Sequence, residues 1–564
     1  MDPTVSTARG SHNGPASPGG PGPPDGYARG MERLELTHPV FSTEATRRAD
    51  RAAIEEFGLP SHTLMETASR AAATELLRRL DLGRGARALV LAGHGNNGGD
   101  GLAMARILAG RGLAVTVVTT AADGAATPET ARNLALLRAM EREGGCDLRV
   151  LGADADAAPL AREADVTVDA LLGIGVTGAL REPIRGLALA CAEARRVVAV
   201  DVPTGIDSDL GTRTDDAAVR ADLTVTMAAP KPGLLFGAGR EHAGEVVVAD
   251  IGLPPHLVRG ALGQPGSARI ATDALVSGLL PRRAVDAHKN SAGRVLVLAG
   301  SDAFTGAAAL ASVAAGRAGA GYVTCASTPA VQAAIDAQSP GTATVAVATT
   351  AGGGVAEEAA EEVVSRAARA DALLVGPGLG QDPSTVALVG QVLERVTLPV
   401  VLDADGLNAL ARLDPTRFDP AQRARWVLTP HLGEFRRLVG ACGAALDEGD
   451  LDRRTWLVPR WAERLGGTLL LKGAPTVTAC TDGTVWVASE VQPGLAVAGA
   501  GDVLAGTIAG LIAQGLGTAE ATVCAQHVGN AVAAWWSETR AGVALRPTDM
   551  TEALPQVLRE RFGA

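Results

Sequence analysis

One segment in the second half of the chain places glycines and a carboxylate in front of an apolar run. Gly499-Ala500-Gly501-Asp502 precedes VLAGTIAGLIA, which predicts a helix that begins at these residues. The free N–H groups and positive end of such a helix form an anion hole for a phosphoryl group in transfer. An aspartate there can take a proton from an attacking hydroxyl. Asp502 is therefore a candidate catalytic base, and an ordinary N-terminal helix aspartate is the alternative.

A second candidate site is the glycine-dense turn GHGNNGGDG at residues 93–101. It lies between a predicted strand that ends at about Ala92 and a predicted helix that begins near Asp100. Such a turn lets a ligand approach the backbone and directs N–H groups at anions. The alternative is that the glycines only keep the turn tight. Asn96, Asn97 and Asp100 add oxygen-bearing side chains, which favour binding and can coordinate a hard cation.

Polar residues also follow later strands. Asp169 lies in VDALLGIGVTGAL, and Asp201 and Thr204 lie in VAVDVPTGID. The carboxyl ends of strands converge on one crevice in doubly wound folds, so we expect these side chains to meet Asn97 there. Each aspartate taken alone is more often a helix cap or turn residue. The same pattern in the second half places another group at one sheet edge: Gly378, Asp405, Asn408, His431 and Lys472.

The elements that must position these residues alternate between strands and helices. Short β-rich runs separated by helical lengths predict an α/β protein with parallel sheets covered on both faces. The first series is ARALVLAG, LAVTVVTT, ADVTVDALLG, RRVVAVDVPTG, ADLTVTMAAP and GEVVVADIG. The second is RVLVLAGS, GYVTCAS, TATVAVAT, DALLVGPGLG, LPVVLDADGLN, RWVLTPHLGE and GTLLLKG. VTACTDGTVWVA predicts a hairpin with a two-residue turn on Asp482-Gly483.

The length of the chain requires more than one domain. Its 564 residues exceed what one hydrophobic core usually organises. We predict a disordered Gly/Pro-rich tail at 1–38, a Rossmann-like doubly wound domain at 39–253, a connector at 254–274 and a second α/β domain at 275–564. The first thirty residues lack both an apolar signal-peptide core and an amphipathic basic pattern.

Composition favours a small-molecule enzyme. The net charge is -11, from 51 Lys+Arg and 62 Asp+Glu, and no dense basic block favours nucleic acid or an anionic membrane as a partner. Gly, Pro, Ser and Thr interrupt the longest uncharged stretches, so no membrane crossing is predicted. The six cysteines are far apart without metal-ligand spacing, which indicates reduced thiols in the cytoplasm. We also expect a homo-oligomer.

The first half resembles the YjeF N-terminal family, the NAD(P)H-hydrate epimerases. The resemblance covers roughly Phe41 to Gly252 and rests on GNNGGDGL, DALLGIG and AVDVPTGID in that order. It implies Asp201 as a substrate contact and candidate acid/base. It further implies two hydrate-binding loops, one at Asn96, Asn97, Gly98, Gly99 and Asp100, the other at Gly173, Ile174, Gly175, Val176, Thr177, Gly178 and Ala179.

The same resemblance implies a potassium site at Asn97, Asp169 and Thr204. A set with one carboxylate suits a monovalent ion better than a divalent one. Two positions differ from the usual family pattern. Thr204 stands where Ser is frequent and keeps the hydroxyl ligand, whereas Thr67, where Asn is common, leaves the contribution of its helix open.

The second half, from about 275 to 560, resembles the ribokinase-like superfamily and more closely its ADP-dependent NAD(P)H-hydrate dehydratase branch. HKNSAGRVLVLAGS, FTGAAALAS, GPGLG, DADGLN, TPHLGE, KGAPT and GAGDVLAG occur in that order. The resemblance implies a ribokinase-like fold. It implies hydrate contacts at Ala307, Gly378, His431 and Asp502, and a nucleotide site at Lys472, Gly473, Ala474, Pro475, Thr476 and Gly501.

Three positions differ from that branch. Ala500, Leu432 and Pro475 replace a frequent Thr, Pro and Gly respectively. Because the anion hole uses backbone N–H groups, Ala500 preserves it. Pro475 lacks an N–H and is expected to remove one nucleotide contact.

Together the resemblances imply repair of hydrated NADH and NADPH. The first domain would interconvert the R and S hydrates. The second would dehydrate the S form at the expense of ADP, with Asp502 as the base and NAD(P)H, AMP and phosphate as products. Whether Mg²⁺ accompanies ADP is open. The alternative is a ribokinase-like kinase of a vitamin precursor or sugar, which leaves the first half without a role. A noncatalytic nucleotide sensor is disfavoured by the retained Asp502, Asp201 and cation ligands.

Overall fold

The computed structural model describes residues 36–121, 126–175, 177–289 and 291–564. Residues 1–35 of the predicted tail and Val176 of the second predicted loop lie outside these ranges. The strands of the described chain form two sheets. Within these ranges no helix is long and apolar enough to cross a membrane.

The first sheet confirms the predicted doubly wound fold. Its strand order is β4-β3-β2-β5-β6-β7-β8, and every pairing is parallel. The order reverses between β2 and β5, and in such folds the crevice at the reversal is the usual ligand site. The strands are β2 Arg87–Ala92, β3 Ala114–Thr119, β4 Leu148–Gly152, β5 Val166–Ala170, β6 Val197–Val200, β7 Leu223–Met227 and β8 Glu245–Ala249.

The helices of the first half include the one predicted after Phe41. Ser42 caps it, because its hydroxyl accepts a hydrogen bond from Ala45 N at 3.2 Å. The helices are α1 Thr43–Arg51, which continues as a π-helical turn at Ala52–Glu56, α2 Ser61–Leu80, α3 Asn96–Gly110, α4 Pro128–Glu143, α5 Ala157–Glu163, α6 Ile184–Ala190 and α7 Gly237–Ala243. Short 3₁₀ turns cover Cys191–Glu193 and Pro232–Leu234.

The second sheet has the order β1-β9-β18-β17-β16-β15-β14-β13-β10-β11-β12. The pairings from β16 to β12 are parallel, whereas β17 is antiparallel to both of its neighbours. The strands are β1 Thr37–Val40, β9 Ala268–Ala271, β10 Arg294–Leu298, β11 Tyr322–Ser327, β12 Ala343–Ala346, β13 Ala372–Val375, β14 Val400–Leu402, β15 Trp426–Leu428, β16 Thr468–Leu471, β17 Val477–Ala479 and β18 Val485–Val487.

The predicted hairpin is formed by β17 and β18. Its turn is longer than the two residues predicted, because Cys480 N donates to Thr484 O across it at 2.9 Å. Gly483 has a φ of 83°, which glycine adopts without strain.

Fourteen helices of the second half are described. They are α8 Pro255–Leu262, α9 Asp273–Leu279, α10 Thr305–Arg317, α11 Pro329–Gln338, α12 Ala360–Ala367, α13 Pro383–Arg395, α14 Asp405–Leu413, α15 Pro420–Arg423, α16 Leu432–Ala441, α17 Glu448–Asp452, α18 Arg454–Leu465, α19 Ala500–Ala513, α20 Thr518–Thr539 and α21 Pro547–Phe562. Helix α19 packs closely on the alanine-rich α10. A Cβ at Gly506 would lie 2.2 Å from Ala311 O, so only glycine permits this approach, which fixes the start of α19 over the sheet edge.

The segment between the two predicted domains is structured. Residues 254–274 contain α8 and β9, and β9 pairs with β1 and β18 of the second sheet. Strand β1 includes Thr37 and His38, which fall inside the predicted tail. The chain therefore contributes its first described strand to the second sheet before it enters the first half.

Candidate active sites

The crevice of the first sheet brings Asp169 and Thr204 together. Asp169 is buried near the end of β5 and accepts hydrogen bonds from Thr204 Oγ1 at 2.7 Å and Thr204 N at 2.8 Å. Leu171 N donates to the same carboxylate at 3.2 Å. Burial raises the pKa of Asp169 to about 6, although these hydrogen bonds oppose the shift. Two of the three predicted cation ligands are thus in direct contact.

Asn97, the third predicted cation ligand, lies across the turn that follows β5. A Cβ at Gly173 would be 3.1 Å from Asn97 Cβ, and Leu172 N donates to Thr204 Oγ1 at 3.1 Å. Both polar atoms of the Asn97 amide are buried without a hydrogen-bond partner in the described chain. Because buried polar groups are nearly always paired, this amide is a candidate contact for a bound water or ion. Within the described ranges no group of three or more His, Cys, Asp or Glu is arranged to hold a metal ion.

Asp201 forms an ion pair with a lysine that the sequence analysis missed. The fully buried Lys231 Nζ donates to Asp201 Oδ1, and also to Thr226 Oγ1 and Met227 O, each at 3.0 Å. Met227 N donates to Asp201 at 3.0 Å. The ammonium is therefore paired and hydrogen-bonded, as burial of a charge requires. Asp201 has a φ of 70°, a left-handed conformation that non-glycine residues rarely adopt and that concentrates at functional sites.

The rarity of lysine in this chain could have pointed to Lys231. The chain has only three lysines, Lys231, Lys289 and Lys472, and arginine at every other basic position. A lysine offers a compact ammonium where a planar guanidinium does not fit. Two of the three lysines lie in the two candidate sites.

Two further carboxyl groups surround the Asp201–Lys231 pair. Burial, and then the charge of Asp201, raise the pKa of Asp100 well above its ordinary value. Asp50, in α1 and open to solvent on one side, has its pKa raised to about 6 by desolvation, against the effect of Lys231. Asp50 was not among the predicted site residues, because it lies inside a helix and follows no strand. A carboxyl group of raised pKa beside a second carboxyl group is an arrangement that acid–base chemistry uses.

The predicted hydrate-binding loop at 96–100 is the first part of α3. The helix begins at Asn96 rather than near Asp100. A Cβ at Gly98 would lie 1.9 Å from Gly93 O, and one at Gly99 would lie 2.6 Å from Thr130 Oγ1. These glycines keep the turn tight, which was the alternative interpretation. In the second predicted loop, Gly173 and Ile174 are partly buried, whereas Gly175, Thr177, Gly178 and Ala179 are exposed.

The second site repeats the lysine–aspartate pair. Asp403 follows β14, is buried, and accepts hydrogen bonds from Lys472 Nζ at 2.5 Å and Thr429 Oγ1 at 2.9 Å. A Cβ at Gly501 would lie 3.0 Å from Lys472 Nζ, so the ammonium faces the first turn of α19. Lys472 was predicted at the nucleotide site, whereas Asp403 was missed, although the motif DADG contains it.

Asp502 lies in that first turn. Burial and the charge of Asp403 raise its pKa to about 7, while Lys472 opposes the shift. The N–H groups of Gly501 and Asp502 have no backbone acceptor in the described chain, so they are free for an anion. The structure thus brings together a carboxyl group with a pKa of about 7, the Lys472 ammonium and two N–H groups that can bind an anion.

Two of the other predicted hydrate contacts are neighbours, and the third caps a helix. A Cβ at Gly378 would meet Phe304 Cβ at 2.8 Å and Ala307 Cβ at 3.0 Å, which places Ala307 beside Gly378. His431 caps α16, and its Nδ1 accepts a hydrogen bond from Gly433 N at 2.9 Å. The Glu434 carboxylate accepts from His431 N at 2.9 Å. Burial raises the pKa of Glu434, with Lys472 opposing and Asp403 adding to the shift.

Asp405 and Asn408 have structural partners. Asp405 accepts hydrogen bonds from Gly380 N at 2.9 Å and Asn408 Nδ2 at 3.3 Å. Arg437 donates to Asn408 Oδ1 at 2.9 Å. These two residues hold the GPGLG turn in place. Glu434 and the exposed ring of Phe304 were missed by the sequence analysis.

A cavity of about 510 Å³ adjoins Lys472 and the start of α19. Its wall is mostly apolar, from residues such as Leu504, Met550 and Leu554, with polar groups at one end. That composition suits a ligand with a flat apolar part and a charged end. Of the predicted nucleotide residues, the wall includes Lys472, Gly473, Ala474, Thr476 and Gly501. Pro475 is outside it, and its carbonyl oxygen accepts a hydrogen bond from Arg454 Nη1 at 3.5 Å.

Known proteins resemble both halves. The family described as YjeF-related protein N-terminus matches residues 61–233, and the family described as NAD(P)H-hydrate dehydratase matches residues 295–556. A bifunctional NAD(P)H-hydrate repair enzyme from Salinibacter ruber is 44% identical over 94% of this chain and 97% of its own. The enzyme of that name from Moorella thermoacetica is 39% identical over 90% of this chain and 94% of its own. An ADP/ATP-dependent NAD(P)H-hydrate dehydratase from Bacillus subtilis, known from its crystal structure, is 28% identical in sequence. The match covers 51% of this chain and 97% of that one, with a TM-score of 0.42.

Proposed function

The chain belongs to the family of bifunctional NAD(P)H-hydrate repair enzymes, and we propose that each of its two sites catalyses one of the two repair reactions. The first half is an epimerase domain and the second an ADP-dependent dehydratase domain. One observation supports the division. Each half contains a lysine–aspartate ion pair with a buried aspartate, beside a carboxyl group of raised pKa, at the carboxyl ends of parallel strands.

In the dehydratase site ADP occupies the cavity beside α19, with its terminal phosphate at the free N–H groups of Gly501 and Asp502. Lys472 offsets the phosphate charge, and Asp403 holds Lys472 in place. Asp502 takes the proton from the ring hydroxyl of the S hydrate as that oxygen attacks the phosphorus, and AMP leaves. Elimination of phosphate, with loss of a ring proton, then restores the double bond. The sum is hydrate plus ADP giving NAD(P)H, AMP and phosphate. Mg²⁺ as a companion of ADP stays a prediction.

In the epimerase site the hydrated ring lies at the Asp201–Lys231 pair. Inversion requires a bond at the hydroxyl-bearing carbon to break and form again, so a proton must be given and taken. Asp100, whose pKa is raised by burial and by the charge of Asp201, is the donor, and Asp201, held by Lys231, is the acceptor. The NADH and NADPH hydrates both fit this chemistry, because the reacting ring is the same in both.

A potassium ion at Asn97, Asp169 and Thr204 would complete this site. The unpaired buried amide of Asn97 supports the proposal, because the ion would satisfy its oxygen. The oxygen donors and the single carboxylate suit a hard cation of low charge. When bound, the ion would supply a fixed positive charge.

A reducing cytoplasm is the proposed location. All six cysteines are free thiols, and Cys191, Cys325, Cys480 and Cys524 are buried, as is usual where disulfides do not form. The homo-oligomeric assembly stays a prediction that sedimentation velocity can test.

The test is incubation of the purified protein with mixed R and S hydrates of NADH, with and without ADP, followed by chromatography that resolves the epimers. Without ADP, an excess of either epimer should relax to a mixture. With ADP, both epimers should disappear, and NADH, AMP and phosphate should appear in equal amounts. Phosphorylation of a sugar or vitamin precursor, with no action on either hydrate, would instead establish the kinase alternative.

A further inference from the structure

Helix α1 precedes the matched range of the epimerase family, 61–233, yet it lies against the epimerase site. Phe41 N donates to Pro230 O at 3.0 Å. Thr43 N donates to Asp209 Oδ1 at 2.7 Å, and the Thr43 and Ser208 hydroxyls are 2.8 Å apart. These contacts fasten the start of α1 to the loops that follow β6 and β7, so its orientation over the crevice is fixed.

Two charged side chains of α1 face the crevice. Arg47 and Asp50 are three residues apart, so they lie on one side of the helix. Asp50 lies within the electrostatic field of Lys231 and Asp201. The guanidinium of Arg47 lies against the second predicted hydrate-binding loop, because a Cβ at Gly175 would be 2.3 Å from Arg47 Nη2. Gly175 has a φ of 89°, and its missing side chain is what lets the guanidinium approach the backbone.

Arg47 differs from the other arginines of its helix. Arg48 pairs with Glu56 and Arg51 with Glu44 on the surface. Arg47 makes no hydrogen bond or ion pair with the part of the chain that the structure describes. Burial raises the pKa of Asp209, and the charge of Arg47 opposes that shift. The Asp209 carboxylate already accepts a hydrogen bond from Thr43 N. The Arg47 guanidinium is therefore exposed and available to a ligand.

We propose that Arg47 binds the diphosphate of the hydrated dinucleotide in the epimerase site. The inference rests on the proposed function of that site. A guanidinium presents a planar fork of donors that matches two phosphate oxygens, and it remains charged at any working pH. With the reacting ring at Asp201 and Lys231, the phosphates continue along α1 past Asp50 to Arg47 and the Gly175 loop. Across the crevice, the first turn of α3 offers further N–H groups.

The test compares Arg47→Ala with Arg48→Ala, a neighbouring arginine whose partner is Glu56 on the surface. Each variant is assayed with the R hydrate of NADH and with the R hydrate of reduced nicotinamide riboside, which carries no phosphate. For Arg47→Ala we expect KM for the NADH hydrate to rise about 10- to 100-fold, because hydrogen bonds to charged groups contribute about that factor. Its kcat/KM for the riboside hydrate should equal that of wild type. Arg47→Lys should restore part of the loss, and Arg48→Ala should behave as wild type.

Three results would overturn the proposal. Equal losses on both substrates would show that Arg47 only supports the fold of α1. An unchanged KM of Arg47→Ala for the NADH hydrate would remove Arg47 from binding. A loss in Arg48→Ala as large as in Arg47→Ala would point to the general charge of the helix. Failure of wild type to epimerise the NADH hydrate would refute the proposed function itself, which is a separate outcome.

Discussion

Each site raises the pKa of one carboxyl group by burying it beside an ion pair. In the dehydratase site, Asp403 repels a second negative charge on Asp502, and Lys472 moderates that effect. Burial is the largest cause. A base with a pKa near the working pH combines a useful ionised fraction with adequate basicity.

Replacing Asp502 with Asn removes the proton acceptor while keeping the shape of the side chain. We expect ADP-dependent dehydration of the S hydrate to fall by roughly 10²- to 10⁴-fold, the usual contribution of a general base. R-to-S conversion should be unchanged, because Asp201 and Asp502 belong to different sheets. The measurement is NADH formation from pure S hydrate, with epimer interconversion followed in the same preparation. Near wild-type NADH formation would exclude Asp502 as the base.

The pH dependence of dehydration follows from the raised pKa of Asp502. The group acts when ionised, so kcat/KM should be level above pH 7 and should fall below the pKa of about 7, by roughly tenfold for each further pH unit. Lys472 lowers that pKa, so Lys472→Met should move the acid limb to higher pH. The control is Lys289→Met, outside the site. An acid limb that stays in place in Lys472→Met would show that another group titrates.

At the scale of elements, the positions of the strand ends decide which residues meet. Strands β2, β5 and β6 are neighbours or next neighbours in the first sheet, so the residues after them share one crevice. Strands β13, β14, β15 and β16 do the same in the second. In both halves the proposed acid–base residues follow a strand end or lie in the first turn of a helix.

The start of α3 provides a test of that constraint. Gly98→Ala would bring a Cβ within 1.9 Å of Gly93 O, and overpacking of this kind costs about 1–3 kcal/mol. The matched control is Gly110→Ala at the other end of α3, where nothing lies within 4 Å. We expect chemical denaturation to show a lower free energy of unfolding and slower epimerisation for Gly98→Ala alone. Equal stability of the two variants would mean that the turn relaxes without loss.

The proposed potassium site also belongs to these strand ends. Asp169→Ala removes the one carboxylate of the set and should loosen the turns that Asn97 and Thr204 occupy, so R-hydrate consumption should fall and lose its potassium dependence. Conversion of pure S hydrate with ADP should stay unchanged, which serves as the internal control. The assay is run with wild type and variant in potassium-free and potassium-containing buffer. Unimpaired epimerisation by Asp169→Ala would show that the residue only supports the strand end.

The sequence predicted most strands, because runs of buried β-branched residues carry a strong local signal. It missed β4, whose LRVLG is short and mostly half-buried. It missed Lys231, Asp403 and Glu434 for another reason. Lys231 meets Asp201 across 30 positions and Lys472 meets Asp403 across 69, so neither pair leaves a local pattern. The ordered glycine motifs located turns at the strand ends, because turn geometry is local.

At the scale of the whole molecule, the two sheets are joined through the first described strand. Strand β1 pairs with β9 at the edge of the second sheet, and after Phe41 and Ser42 the chain forms α1 over the epimerase site. Strand β9 also neighbours β18, whose hairpin partner β17 follows the proposed nucleotide-binding residues Lys472–Thr476. The proposed ADP site and α1 are therefore connected through adjacent strands of a single sheet.

The start of the second unit can be located with two fragments, 264–564 and 275–564. The longer fragment keeps β9 and Asp273, whose carboxylate contacts His527 Nε2 at 2.7 Å and receives a hydrogen bond from Arg561 Nε at 2.8 Å. The shorter one begins at the predicted domain boundary and loses both. We expect both to lack epimerase activity, and only 264–564 to dehydrate S hydrate at near the rate of the full chain. By chemical denaturation, 275–564 should be less stable by about 1–3 kcal/mol, since the unpaired partners of a lost hydrogen bond cost that much. Asp273→Asn in 264–564 separates the loss of the carboxylate from the loss of β9. Equal stability and activity of the two fragments would place the boundary at 275 and make β9 dispensable to the dehydratase.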